Sequence, residues 1–395
     1  MSNRFKVYKY LVLISSFLIM AVEFSIVNSV SSLFIAPVTK ELELSNSAFS
    51  FIFTTSALTT AIMSPIIGQL LSRISLKAIM SVGIIFTGGG FFCYSLATQI
   101  WMFYLIAIMV GIGTSCSAVI PISTALTYWF EEKKGIALGI VMAGIGTGSF
   151  VWMQIVTRML NALSYHETYA ILGLIILAVC LPLTLFIMKL PPNTPITSKK
   201  KEKFSYREIH WNRQLILFAT GLFLLGISIS GTKMHIQPYL THLGHPLSFN
   251  ANIGSTQAVF ALLGNLIGGY IFDKLNLRNS ILIFGTLSLI SYICLICGIF
   301  PPLLFIFSAL FGLCLCLPAM LPSYGTSALF GKDHYAVNLG FINMIFTLGG
   351  ALGPMISGFI VDNFNYTNAW ILYFILTLLY FICLLAALKR QTPQK

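Results

Sequence analysis

The sequence predicts an all-α integral membrane protein, twelve transmembrane helices in two pseudo-symmetric six-helix bundles. Three observations predict it. Hydrophobic residues make up 57% of the 395 residues and charged ones only 9%, where a soluble domain is about a quarter charged. Apolar runs long enough to cross a bilayer, roughly twenty residues each, recur twelve times along the chain. The chain also matches itself at an offset of 201 residues: Pro37 falls on Pro238, Gly68 on Gly269, Gly111 on Gly312, Pro121 on Pro322, Gly139 on Gly340 and Gly148 on Gly349. With no water in the hydrocarbon each span must satisfy its own backbone, so helices are expected, and the long runs lack the alternation of a barrel. Duplicated membrane halves point to a transporter.

The first helix, at 10–36, is too long and carries Glu23 too deep for a cleaved signal peptide. The second and third, at 47–71 and 78–97, flank a loop with Gly68, Ser72, Arg73 and Lys77. Pro121 should kink the fourth, at 100–127. The fifth, at 135–158, carries a ladder of Gly135, Gly139, Gly144, Gly146 and Gly148 that should let it pack closely and bend, and Pro191, Pro192 and Pro195 end the sixth, at 167–189. In the second half the seventh and eighth helices, at 213–240 and 249–272, precede a loop with Gly269, Asp273, Lys274 and Arg278. The ninth, tenth, eleventh and twelfth follow at 279–299, 301–327, 336–361 and 367–388, with Pro322 expected to kink the tenth. The domains are therefore a bundle at 1–189, a basic linker at 190–212 and a bundle at 213–395.

Charge orients the bundles. With the N-terminus inside, all of the 23 Lys and Arg except Lys40, Arg158 and Lys233 fall in inner segments, a strong positive-inside bias that places both termini in the cytoplasm and the chain in the cell inner membrane. The net charge of +12 needs no nucleic acid to explain it. Its densest stretch, Ser198 to Arg207, reads as a flexible linker near anionic lipid. The eight cysteines scatter through helices as small packing residues; Cys294 and Cys297 have a metal-like spacing but no histidine or acid nearby.

Two charges lie within predicted spans, Glu23 in the first and Lys233 in the seventh; such charges are costly and are functional candidates by default. On an α-helix Ser25, Asn28, Ser29 and Ser32 form one stripe. The repeat carries Ser25, Ser29 and Ser32 onto Gly226, Ser230 and Lys233, which continue with Gln237. Lys233 is thus expected on a cavity face, with snorkelling to the outer surface as its alternative. Glu23 lies about 160° from Ser25 at roughly 100° per residue, so it should face its own bundle, as a proton site or as a hydrogen-bonded structural acid. His235 lies on an adjacent face with Ser228 and Thr232, and His242 and His245 read as outer-loop residues. Thr54, Ser56, Ser117, Gln154, Gln257, Asn265, Tyr324 and Asn343 are each candidates for substrate contact or for interhelical hydrogen bonding.

Twelve spans in two halves, the basic central loop and the paired loop signatures resemble the major facilitator superfamily along the whole chain. Trp129 and Phe130 before Lys133 and Lys134, the glycines that follow, and His235, Pro238, Tyr239, Leu240 and Gly244 resemble its oxalate/formate antiporter and monocarboxylate porter branch. The resemblance implies the major facilitator fold, with no cofactor, and alternating access about a midplane cavity. It also implies gating by Gly68, Arg73, Lys77, Gly269, Asp273, Lys274 and Arg278, with Ser72 and Ser75 standing where the family usually has Asp and Gly and weakening the first copy. Asn265 and Phe346 stand where the family often has cationic residues, and Ala261 where proton-coupled porters tend to have an acid.

The expected function is secondary transport of a small-molecule substrate, a monocarboxylate-like anion, with protons as a candidate coupling ion and a monomer in the lipid bilayer as the working unit. Lys233, Ser29, Asn28, Ser230, Asn265, Gln257, Asn343 and Tyr324 are the candidate substrate residues and Glu23 the candidate proton site. The alternatives are an efflux pump for hydrophobic or cationic compounds and a non-transporting receptor or scaffold. An enzyme is not expected, since no nucleophile and base, metal cluster or phosphate loop can be assembled.

Overall fold

A computed structural model describes residues 3–43, 46–130, 132–191, 213–245, 247–298, 300–331 and 335–388. The basic stretch Ser198 to Arg207 lies outside the described residues. Twelve helices are long and apolar enough to span a bilayer: α1 (Val7–Val30), α2 (Phe51–Leu70), α3 (Leu76–Tyr94), α4 (Ile100–Trp129), α5 (Lys134–Ala162), α6 (Tyr165–Phe186), α7 (Arg213–Leu240), α8 (Asn252–Lys274), α9 (Leu277–Ile296), α10 (Pro301–Phe330), α11 (Tyr335–Val361) and α12 (Tyr366–Ala387). The described residues contain no strand.

Local chemistry sets the ends. Ser164 and Glu167 cap α6 reciprocally, the Glu167 N–H donating to Ser164 Oγ (3.2 Å) and the Ser164 N–H to Glu167 Oε2 (2.9 Å). Ser75, the departure in the first loop signature, caps α3 by accepting from the Ala78 N–H at 3.3 Å. Two spans break where a proline removes a backbone donor. α4 is interrupted at Ala118, three residues before Pro121, as expected from the sequence. α10 is interrupted at Leu315, three residues before Pro318, while Pro322 sits inside the continuous segment Cys316–Phe330. The break in α10 thus precedes Pro318, which has no proline counterpart in the repeat.

Contacts group the chain into two compact units, residues 1–203 with 332–344 and residues 204–331 with 345–395. The first departs from the expected bundle by including the start of α11. Gly340 lies against the backbone of Ser64 and Pro65, Gly68 against the Ala336 carbonyl, and Asn343 donates to Ser64 Oγ at 3.0 Å.

Within each unit the repeat places the same glycine at the same job. A side chain at Gly111 on α4 would meet the Ser56 carbonyl of α2, and one at Gly312 on α10 would meet the Gln257 carbonyl of α8, which is Ser56 moved by the 201-residue offset. Likewise Gly148 presses α5 onto the Ala21 carbonyl of α1, and Gly349 presses α11 onto the Phe223 carbonyl of α7. Small residues let helices approach where lipid gives no hydrophobic drive for association. Gly148→Val should therefore lower the melting temperature by the equivalent of about 1–3 kcal/mol. Gly146→Ala, where nothing lies within 4 Å of the added carbon, should leave it unchanged; a thermal-shift comparison in detergent checks both.

At one end the first unit is tied by Trp129, noted in the sequence. Trp129 packs on Tyr8 with ring centroids 5.6 Å apart and donates its indole N–H to the Lys189 carbonyl at 2.7 Å, while the Lys189 ammonium sits 4.1 Å from the Tyr8 ring centroid. At its other end His166 Nε2 pairs with Glu41 Oε1 at 3.1 Å.

Candidate functional site

The two intramembrane charges lie in different units and in opposite surroundings. In the first unit, α1 does not run as a regular α-helix. Asn3–Ile19 is α-helical, Met20–Phe24 and Ile26–Val30 are π-helical turns, and Ser31–Phe34 is a 3₁₀ turn. The angular step of an α-helix therefore fails over the stretch that carries the polar residues, and the expected single stripe is divided. Ser25 is buried, its Oγ 3.0 Å from both the Met20 and Ile145 carbonyls. Ser29 Oγ lies 2.6 Å from Ser149 Oγ of α5. Asn28 is exposed, its amide donating back to the Phe24 carbonyl at 3.1 Å.

Glu23, in the middle of the first π-turn, is fully buried. Ser117 of α4 donates to Glu23 Oε1, and Thr87 of α3, whose hydroxyl donates to the Gly83 carbonyl at 3.1 Å, lies beside the same carboxyl group. Cys116 of α4 and Cys180 of α6 lie near enough to interact with it electrostatically. Oε2 has no hydrogen-bond partner among the described residues. Burying a charged carboxylate without a countercharge costs several kcal/mol, which keeps Glu23 a candidate for a functional role. Ser117, a candidate for substrate contact in the sequence, is spent on Glu23. Thr87 and Trp152, which donates its indole N–H to the Ala21 carbonyl at 3.0 Å, were not foreseen. Trp152 follows Gly148 by one helical turn, a spacing that places both on the α5 face against α1, and this was the available signal.

In the second unit, Lys233 on α7 has an accessible side chain. No hydrogen bond or ion pair to it is made by the described residues. Gln237, one turn on, donates to the Asn250 carbonyl at 3.3 Å and approaches Gly254, which fixes the antiparallel register of α7 and α8. Four residues back along α7 is about four residues forward along α8, so Lys233 stands level with the segment from Gly254 to Gln257. Gln257 and Ser230 are half-buried. His235 Nε2 lies 3.3 Å from the Pro354 carbonyl of α11.

The remaining candidates are placed as follows. Asn265 of α8 is buried with its Oδ1 lacking a partner among the described residues. Asn343 is buried on Ser64, and the Tyr324 hydroxyl donates to the Phe272 carbonyl at 2.6 Å. In the loops, the Ser72 hydroxyl donates to the Gln69 carbonyl at 2.7 Å and the Lys274 ammonium to the Tyr270 hydroxyl at 2.9 Å, while Arg73, Lys77 and Arg278 are exposed.

The sequence profile of the Major Facilitator Superfamily matches residues 12–301 and 217–395. An MFS-type transporter of Bacillus subtilis, YcxA, is 28% identical over 274 residues, which cover 67% of this chain and 65% of that protein, just under two thirds of its length. Monocarboxylate transporter 12 of Mus musculus is 23% identical over 85% of this chain and 77% of that protein. An agnestins efflux protein of Paecilomyces divaricatus is 23% identical over 82% and 74%. Among solved structures, the transporter FucP in the outward conformation superimposes with a TM-score of 0.76 over 98% of this chain and 99% of that one, at 17% identity, a likeness of fold alone.

Proposed function

The chain belongs to the Major Facilitator Superfamily of multi-pass membrane transporters, and on that premise we propose that it carries a small organic monoanion of the monocarboxylate kind. It works by secondary active transport across the cell inner membrane, with both termini cytoplasmic and a proton as the coupling ion. The observation that carries this reading is Lys233, a cation within a membrane span that the described residues leave unpaired. A group so placed needs a negative partner, and a substrate carboxylate supplies one.

Ser230, Gln257 and Asn265, in the same unit as Lys233, offer hydrogen bonds to the rest of the molecule, and Glu23 carries the proton. The two further cations the family often uses are replaced by Asn265 and Phe346; a dianion would bring a second charge for which the site has no partner. The likeness to monocarboxylate transporter 12 supports the same substrate class. The gating role of the loop signatures is supported by the close seat of Gly68 on the Ala336 carbonyl. The second reading, an exporter of hydrophobic or cationic compounds, is favoured by the agnestins efflux relative and by 32 phenylalanines.

Counterflow in proteoliposomes separates the two readings. Liposomes loaded with unlabelled formate, lactate or pyruvate should accumulate the labelled monoanion, with oxalate a poor competitor and tetraphenylphosphonium inert. Accumulation of the lipophilic cation with no exchange of any monocarboxylate would overturn the anion reading.

A further inference from the structure

The π-turns of α1 leave backbone groups out of their usual pairing, and α5 supplies the replacements. In an α-helix the Ala21 carbonyl would accept the Ser25 N–H; here that N–H reaches back to the carbonyl of Met20. The Ala21 carbonyl instead takes the Trp152 indole N–H at 3.0 Å. Gly148, four residues before Trp152, leaves no room for a side chain against the same carbonyl. Ser149, between them in sequence, meets Ser29 in the second π-turn. Three residues of one α5 turn thus seat the over-wide winding, and Glu23 sits within it. Short π segments recur at functional sites.

We propose that Trp152 is a positioning residue for Glu23: by holding the Ala21 carbonyl it keeps α1 in the π winding that seals the Glu23 carboxyl among α3, α4 and α6. When the indole N–H is lost, the Ser25 N–H returns to Ala21, the turn closes to α geometry, and residues beyond it advance by roughly 100°. That motion turns the downstream face that carries Asn28 and Ser29, so the proton site and the substrate face are joined by one backbone register. The groups around Glu23 are Ser117 on α4, Thr87 on α3, Cys116 on α4 and Cys180 on α6. None of these can replace a proton as a countercharge. No charged side chain of α3, α4, α5 or α6 among the described residues acts on it.

The inference rests on Glu23 as the coupling site, and the test separates the two. Trp152→Phe keeps the ring and removes the N–H. Its pH profile of monoanion uptake in proteoliposomes should move toward acid by about half to one pH unit, because a less sealed carboxyl gives up its proton earlier, while KM on the acid plateau stays within about twofold of the native protein. A profile that superimposes on the native one, whatever the loss of thermal stability, makes Trp152 structural only and overturns the inference. If Glu23→Gln keeps the native pH dependence, both the coupling reading and this inference fall. If Glu23→Gln is pH-independent and Trp152→Phe is unshifted, only the inference falls. Should Trp152→Phe not fold, hydrogen exchange of residues 20–30 in the native protein decides. Protection, the slowing of exchange relative to its intrinsic base-catalysed rate at each pH, that falls as pH rises only with Glu23 intact supports the inference; protection indifferent to pH overturns it.

Discussion

Lys233→Ala is expected to raise KM for the transported monoanion by roughly 10- to 150-fold and to leave the maximal rate nearly unchanged. A hydrogen bond to a charged group contributes about 1.5–3 kcal/mol, and each 1.4 kcal/mol is a factor of ten in affinity. The bond to the carboxylate is made whenever the anion is bound, so its loss weakens binding uniformly and falls on KM. Lys233→Arg keeps the charge and should recover part of the affinity, short of the native value because the guanidinium presents a planar fork in place of a compact ammonium.

Stability should move in the opposite direction. Lys233 has no partner among the described residues and stands within a membrane span, where an unpaired ammonium is a cost that alanine removes, so the unliganded variant should melt higher than the native protein. The pairing of lower affinity with higher stability distinguishes a binding group from a snorkelling one. A lysine that only reaches the outer water would leave KM within about twofold, since exposed charges contribute little. Uptake kinetics and thermal shifts on the same preparations read both quantities. Unchanged KM in Lys233→Ala would remove the substrate role.

The parts of this structure that the sequence foretells are those written in long periods. Twelve apolar runs become twelve spans, and the 201-residue repeat foretells paired contacts as fine as Gly111 on the Ser56 carbonyl and Gly312 on the Gln257 carbonyl. Glycines at helix crossings are legible because the crossing demands them and little else can stand there.

The polar residues are harder to read, since their partners are chosen by tertiary packing. Nothing in the sequence distinguishes Asn343, which binds Ser64, from Asn265, whose Oδ1 finds no donor among the described residues. The winding of α1 escapes the sequence altogether. No proline or glycine marks residues 20–30, and the π-turns are underwritten by donors from another helix, so an α-helical wheel puts Ser25 and Ser29 on a cavity face when both turn to α5. The break in α10 escapes the repeat, because Pro318 has no proline counterpart 201 residues earlier, where Ser117 stands. That same serine became the donor to Glu23.

Glu23→Gln is the second large expected effect. With the native protein, an imposed gradient of one pH unit should drive about tenfold accumulation of the monoanion if one proton moves with it, since that gradient is worth about 1.4 kcal/mol. Glutamine preserves the length and shape of the side chain and can still accept from Ser117, but it carries no exchangeable charge. Accumulation should therefore collapse to the level set by the anion's own gradient, while counterflow, which needs no net proton movement, continues at a rate within about threefold of native. Glu23→Ala, by contrast, should do more than uncouple. It opens a cavity between α3, α4 and α6 and removes the Ser117 hydrogen bond, leaving that hydroxyl only the Gly113 carbonyl, a loss on the order of 2–4 kcal/mol. The two variants thus separate coupling from packing: glutamine should uncouple with the fold intact, and alanine should melt early. If the Gln variant still accumulates substrate tenfold against the same gradient, the proton is carried elsewhere, and the sealed carboxyl beside Ser117 is a structural acid whose hydrogen bonds hold α1 to α4.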